Sequence, residues 1–238
     1  MVNSGPAAAT SDCPCNTDEM TLLDAPKLAA QLRHPHGEAA LAVAESMNRS
    51  NGALNQAAIA LLATAPGEHV LEIGPGNAAF AGQLLRAPGS RYLGIEVSQA
   101  MVQAGNARLA ADGLRDRASV QHGDVHALDL PDASVDAALA VNLLYFWPQL
   151  SPPLCELARV LRPGGRLCLA FGDAAFMRTL PFTAHGFHLY SLGEVEPALR
   201  NNGFSVCGWR AHREHGTSND GRTLDKHFHL LLARRSAG

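Results

Sequence analysis

Three things are missing from this sequence: a basic excess, a cysteine framework, and an apolar run long enough to cross a bilayer. Among 238 residues there are 19 Lys or Arg and 22 Asp or Glu, giving a net charge of -3 at neutral pH. A protein that grips phosphates of nucleic acid presents a basic field, so nucleic acid is not an expected partner. The charge is uneven, with seven Lys or Arg against three Asp or Glu in residues 200–238. That stretch reads as a solvated surface or, more pointedly, as a docking face for an acidic partner. The five cysteines fit neither a disulfide framework nor a zinc knuckle. Cys155, Cys168 and Cys207 fall in helix- or strand-like segments and read as small buried apolar residues. Cys13 and Cys15 sit in the polar stretch SDCPCN. A reducing, cytoplasmic location is expected. The longest apolar stretch, AALAVNLLYFW, is too short to span a bilayer and contains Asn142. The N-terminus shows no basic start followed by an apolar run, so no secretory signal is expected.

What is present is a globular composition, 47% apolar and 17% charged, at a length suited to one α/β domain with a sizeable core. Residues 1–20 are small, polar and Pro-bearing and read as a mobile arm. Residues 21–65 read as a helical lid, Ala-rich from His36 onward, with a break at Gly52. From Pro66 to the C-terminus the pattern alternates between short apolar strands and helices. HVLEIG, RYLGIEVS, ASVQHGD, VDAALAV and RLCLAFG are the strands. NAAFAGQLLRA, QAMVQAGNARLAADG, SPPLCELARVL and SLGEVEPALRNNG are the helices, with Ser98 placed to cap the second of these. FSVCGWRAH and KHFHLLLARR close the chain as a hairpin. The expected fold is α/β and doubly wound, with a mainly parallel seven-stranded sheet and one antiparallel strand in that hairpin.

The stretch HVLEIGPGNAAF carries the functional question. Glycines between a first strand and its helix let backbone approach a ligand, with free N–H groups aimed at it. GPGNAA satisfies the loose dinucleotide pattern G-x-G-x-x-[GA], which alone is also met by a tight turn with no ligand. Three acids sharpen the reading. Glu72, two residues before Gly74, would repel a pyrophosphate and suits a ligand with a cationic end. Glu96 ends the second strand, where a carboxylate accepts both hydroxyls of a ribose; this fits NAD equally. Asp124, in HGD after the third strand, can accept from the exocyclic amine of adenine. All three lie at the carboxyl ends of strands, where open α/β sheets bind ligands.

With VLEIGPGNA, YLGIEVS, HGDVHALDLPDASVDAALAVNLLYFW and ARVLRPGGRLCLAF in order, the chain resembles the class I S-adenosylmethionine-dependent methyltransferases. It is most similar to the small-molecule members that act in quinone biosynthesis. One departure is Ala78, which stands where the family commonly has a third glycine. The resemblance implies S-adenosyl-L-methionine as cofactor. It implies that Glu72, Gly74 and Gly76 shape the loop around the cofactor's amino-acid end, and that Glu96 holds the ribose beside Ile95 and Val97. Val97 would pack on the adenine, and Asp124 and the backbone of Val125 would read its edge. Asn142, at the end of the fourth strand, would meet the methionine portion and admit the substrate.

The implied reaction is in-line displacement at the sulfonium methyl, in which the protein supplies alignment and desolvation. A base is needed only where the acceptor atom must lose a proton. Segment 172–190 is expected to cap the acceptor pocket, with Phe176, Met177, Phe182 and Phe187 as its lining. His185 is the first candidate base, and His188 and Tyr190 are candidate acceptor contacts. Met47 and Asn48, on the lid, are further candidate ligand contacts. The apolar lining points to a small organic acceptor with apolar surface. His227 and His229 share a strand face, but no Cys or acid stands at ligand spacing, so no metal site is expected. The competing readings are an NAD-dependent oxidoreductase and a non-catalytic cofactor-binding protein. Arsenite methylation through Cys13 and Cys15 is disfavoured, because the further thiols it needs are absent. The acceptor, the atom methylated and the oligomeric state are not readable from the sequence.

Overall fold

The computed structural model describes residues 23–217 and 223–237. The expected arm over residues 1–20, with Cys13 and Cys15, lies outside them. Three helices come first: α1 (Ala25–Arg33), α2 (Ala39–Ser50) and α3 (Gly52–Leu62). The alternating part follows as β1 (His69–Ile73), α4 (Ala81–Leu84), β2 (Arg91–Glu96), α5 (Gln99–Ala111), β3 (Ala118–His122), β4 (Val135–Val141), α6 (Ser151–Val160) and β5 (Leu161–Gly172). Then come α7 (Ala174–Met177), α8 (Leu192–Asn201), β6 (Phe204–Thr217) and β7 (Thr223–Arg235).

The strands form one seven-stranded sheet in the order β3-β2-β1-β4-β5-β7-β6. The first five in that order pair parallel. β7 runs antiparallel to both β5 and β6, so it is the one reversed strand. The chain winds outward from β1 to β3 and then crosses back to place β4 on the other side of β1. Crossover connections of this kind leave a crevice at the carboxyl ends of the two central strands. Parallel strands covered on both faces read as continuous apolar runs, and β4 shows why: Val135 and Ala137 to Ala140 are fully buried. In β1 the run Val70 to Ile73 is interrupted by Glu72, a polar residue that is itself buried.

Local capping follows the sequence closely. The Ser98 hydroxyl accepts from the Met101 N–H at the start of α5. Ser191 and Glu194 form a reciprocal capping box at α8, satisfying backbone donors that the first turn leaves free. Three details differ from the sequence reading. The helix expected over NAAFAGQLLRA shrinks to Ala81–Leu84, because Gly76 and Ala78 both take the left-handed conformation, φ +56° and +53°, which a right-handed helix excludes. The RPGG turn lies inside β5 as a bulge opposite Val135 to Ala137. The helical lid expected over residues 21–65 divides in two. α1 and α2 lie over the crevice, whereas α3 sits in the core, with Leu54, Ala58 and Leu62 fully buried against the sheet.

If α3 is core and not lid, Leu54→Ala lowers unfolding stability by about 2–5 kcal/mol, the usual cost of a buried leucine. Urea denaturation measures it, and a loss below about 1 kcal/mol would mean that α3 can detach.

Candidate functional site

The crevice is a cavity of about 970 Å³ whose wall includes Glu72, Gly74, Gly76, Ile95, Glu96, Val97, Asp124, Val125 and Asn142. Met47 and Asn48 of α2 also line it. These candidates come from four strand ends and the lid, and the fold brings them to one place.

The glycine loop is shaped by steric necessity. Gly74 has φ +63°, and a Cβ there would come within 2.6 Å of the Leu143 side chain. A Cβ at Gly76 would meet nothing within 4 Å, so the loop backbone is bare where it faces the cavity. Asn77, 1% exposed, fastens this loop to the lid. It accepts from Asn48 at 2.9 Å and donates to Glu45 at 2.8 Å, and Glu45 in turn accepts from Arg108 of α5. Asn48 therefore reaches the site through Asn77. Ala78, buried and left-handed, closes the loop with a residue that pays for the conformation in backbone strain.

Two carboxylates sit beneath the loop with no Lys or Arg as hydrogen-bond partner among the described residues. Glu72 is buried at 6% exposure and accepts from the Tyr92 hydroxyl at 2.7 Å. Burial pushes its carboxyl up to about 7; the Tyr92 hydrogen bond opposes the rise and the nearby Glu96 charge adds to it. Glu96 is buried at 5% exposure. It accepts from the N–H groups of Gly76 at 3.0 Å and Ser98 at 2.9 Å. Burial raises its pKa too, while those N–H groups, that of Val97, and the charge of His34 favour the ionised form. A carboxylate taken out of water without a counter-ion is costly, so both residues suit a ligand bringing hydroxyl donors and positive charge.

The outer end is wetter. Asp124 is exposed and its carboxylate receives the backbone N–H of His126 at 3.0 Å, with the His126 ring nitrogen at 2.6 Å. Its partial burial would raise its pKa, but these contacts and the His126 charge hold it below the usual value. Val125 is buried beside it. The connection between α1 and α2 closes over this end: the His34 ring stands 3.1 Å from the Val97 carbonyl, and the Ser98 hydroxyl donates to the Pro35 carbonyl. Asn142, left-handed at φ +56°, accepts from the Tyr145 hydroxyl at 3.1 Å, and Asn tolerates this conformation better than most residues.

The other half of the cavity is aromatic. Phe146, Trp147, Phe176, Met177, Phe182, Phe187 and Phe228 line it. Phe187 packs against Phe146 at 4.9 Å and Phe182 at 5.5 Å between ring centroids. Arg33 of α1 donates to the Gly186 carbonyl and stands over the Phe146 ring at 5.6 Å, tying the lid to segment 172–190. That segment lines the cavity with apolar residues, among them Phe176, Met177, Phe182 and Phe187. Its polar candidates face elsewhere. His185 is exposed at the end of the turn Pro181–Ala184, near Asp24. The His188 ring is exposed, and its backbone N–H donates to the Tyr145 carbonyl. The Tyr190 hydroxyl donates to the Trp147 carbonyl. None of the three is among the residues that line the cavity.

Sequence reasoning passed over His34, Tyr92, Tyr145 and Lys226. For Lys226 a signal existed: if His227 and His229 share one face of β7, then Lys226, Phe228 and Leu230 share the other. These three are the buried ones, at 8%, 4% and 3% exposure. Among the described residues, no group of three or more His, Cys, Asp or Glu is placed to hold a metal ion, and no helix is long and apolar enough to cross a membrane.

Known proteins resemble this chain in sequence and fold. A family model described as a methyltransferase domain matches residues 71–169. An O-methyltransferase, resE, of Aspergillus sclerotiorum is 32% identical over 180 residues, covering 72% of this chain and 66% of that protein. A demethylmenaquinone methyltransferase of Symbiobacterium thermophilum is 29% identical over 127 residues, covering 52% and 49%. The structure of a geranyl diphosphate C-methyltransferase from Streptomyces coelicolor superposes with a TM-score of 0.67 at 16% identity, covering 84% of this chain and 87% of that one. It was solved with Mg2+, geranyl diphosphate and S-adenosyl-L-homocysteine, and at this identity the likeness speaks for the fold. Residues 71–169 thus form a methyltransferase domain of the S-adenosylmethionine-dependent class, whose cofactor is S-adenosyl-L-methionine. The chain spans between 31% and 49% of the length of several curated relatives it matches.

Two expectations follow from the loop and its acids. In Ala78→Gly, relief of left-handed strain, about 1–2 kcal/mol, offsets the lost methyl, about 0.8 kcal/mol. Unfolding stability should stay level or rise by up to about 1 kcal/mol, and a loss beyond about 1 kcal/mol would contradict the strain. For Glu72, a folded pKa raised from 4.5 to about 7 means that its contribution to stability is full below about 4.5 and is lost as pH rises through about 7. Thermal melts of the ligand-free protein across that window should show this decline. Glu72→Gln should flatten it, and an unchanged pH profile in that variant would assign the decline to other groups.

Proposed function

We propose that the protein transfers the methyl group of S-adenosyl-L-methionine to a small organic acceptor with apolar surface. The observation that carries this reading is the pair of buried carboxylates, Glu72 and Glu96, set around a glycine loop and lacking a Lys or Arg partner among the described residues. Residues and cofactor fit: Glu96 would hold the ribose hydroxyls, Val97 would pack on the adenine, and Asp124 with the Val125 backbone would read its edge. Glu72, Gly74 and Gly76 would hold the amino-acid end, Glu72 as the counter-charge to its ammonium. Asn142 would stand between this half and the acceptor half, and Met47 and Asn48 would close the lid above. When bound, the cofactor supplies an electrophilic methyl on a cationic sulfur.

The chain's own contribution is to orient and to exclude water. The aromatic wall removes the acceptor from solvent, and a dry, pre-aligned site contributes mainly through avoided reorganisation. A nicotinamide dinucleotide is disfavoured because a buried carboxylate at Glu72 would repel its pyrophosphate. The acceptor named for one relative, demethylmenaquinone, has an apolar body, which agrees with the lining here. A reducing, cytoplasmic setting is our reading of the cysteine spacing; of the described thiols Cys168 is buried as its strand suggested, whereas Cys155 and Cys207 are exposed. The net acidic charge gives nucleic acid no electrostatic foothold.

Glu96→Ala removes a charged acceptor of two hydroxyl hydrogen bonds, each worth about 1.5–3 kcal/mol. Affinity for S-adenosyl-L-homocysteine should fall by tenfold or more in a calorimetric titration. Unchanged affinity would overturn the ribose assignment, and failure of the unsubstituted protein to bind would overturn the whole reading.

A further inference from the structure

The acceptor half of the cavity has one wall that is not aromatic. Where the end of α2 and the start of α3 meet β7, the lining changes to Ser50, Asn51, Asn55, Thr223 and Lys226. Lys226 is the unusual member, 8% exposed. Lysines are rarely buried unless paired, and a buried ammonium needs a counter-charge in contact. Its Nζ donates to the Ser50 carbonyl at 2.6 Å and the Ser50 hydroxyl at 2.9 Å, and both of these acceptors are neutral. The nearest carboxylate among the described residues, Glu214, stands at 3.9 Å, outside hydrogen-bond distance, and is itself in contact with His212 at 3.1 Å. Two of the three N–H donors are thus used on neutral oxygens, and the one described carboxylate beside the charge pairs with it only at long range, 3.9 Å.

The pole lies close to the aromatic wall. Phe228, two residues along the same face of β7, packs against Phe176 at 5.7 Å. Asn55 donates to the Asn51 carbonyl at 2.9 Å, and both amides line the same cavity with further hydrogen-bonding capacity. An occupant that fills this half therefore meets aromatic rings along its body and a desolvated cation at one end.

Building on the methyltransferase reading, we propose that the acceptor carries an anionic oxygen group, a carboxylate, on an apolar body, and that Lys226 binds that group. This narrows the acceptor class and adds Lys226 as a specificity-determining residue. Ser50, which holds the ammonium in the ligand-free cavity, gives up part of that contact to the incoming anion, and Glu214 tempers the charge from behind.

The test uses 2-naphthoate and its neutral counterpart 2-naphthamide as probes, titrated into the full chain with S-adenosyl-L-homocysteine present, and repeated without it. Naphthoate should bind at least tenfold more tightly than the amide. Lys226→Met should abolish that preference while leaving amide binding in place, and Lys226→Arg should retain it. Glu214→Gln, which keeps the lysine and removes the competing charge, should tighten naphthoate binding; it also decides the matter should the methionine variant fold poorly. Equal affinity for the two probes, no binding of either, or a preference that survives Lys226→Met overturns the proposal. Because S-adenosyl-L-homocysteine is titrated separately, failure of the cofactor reading shows as a missing first isotherm and is distinct from failure at Lys226.

Discussion

The Glu96 carboxylate organises the glycine-loop end of the cavity. It closes β2, is buried at 5% exposure, and binds the N–H groups of Gly76 and Ser98 from opposite sides. One side chain thereby joins the glycine loop to the strand beside it and to the start of α5. The loop can then present bare backbone to the cavity without collapsing onto β2. Burial raises the pKa of this carboxylate, and the backbone N–H groups of the loop and strand end oppose that rise.

The lid depends on that loop. α2 reaches the loop through Asn48 and Asn77, α5 reaches α2 through Arg108 and Glu45, and the α1–α2 connection rests on Val97 and Ser98. Arg33 completes the closure on the acceptor side at Gly186 and Phe146. Both halves of the cavity are thus covered by one short helical segment whose contacts are polar at the cofactor end and mixed at the aromatic end. Polar contacts of this kind can be exchanged for ligand contacts at modest cost, which suits a cover that must admit its ligands.

Much of the fold was readable because most strands carried their own apolar run and many connections a glycine or proline. The single reversed strand followed from the absence of a helix between the last two strands. The strand-end acids were readable for a related reason: a charged residue closing an apolar strand has few structural uses. What escaped the sequence were features set by three-dimensional context. α3 looked like lid because an Ala-rich helix reads alike on a surface or on a sheet, and its burial is decided by β4, β5 and β7. α4 shortened because Ala78 takes a conformation that alanine disfavours, which no propensity reveals. The histidines of segment 172–190 drew attention by their chemistry, yet the turn Pro181–Ala184 directs the apolar residues inward and His185 outward. Lys226 was hidden in a strand whose histidines were more conspicuous.

The central claim is that two buried carboxylates and a bare glycine loop select S-adenosyl-L-methionine over a pyrophosphate-bearing cofactor. Calorimetric titration of the protein with S-adenosyl-L-methionine and, separately, with NAD+ addresses it most directly. The account predicts saturable heat with the former and none with the latter. Binding of NAD+ in place of S-adenosyl-L-methionine would contradict it.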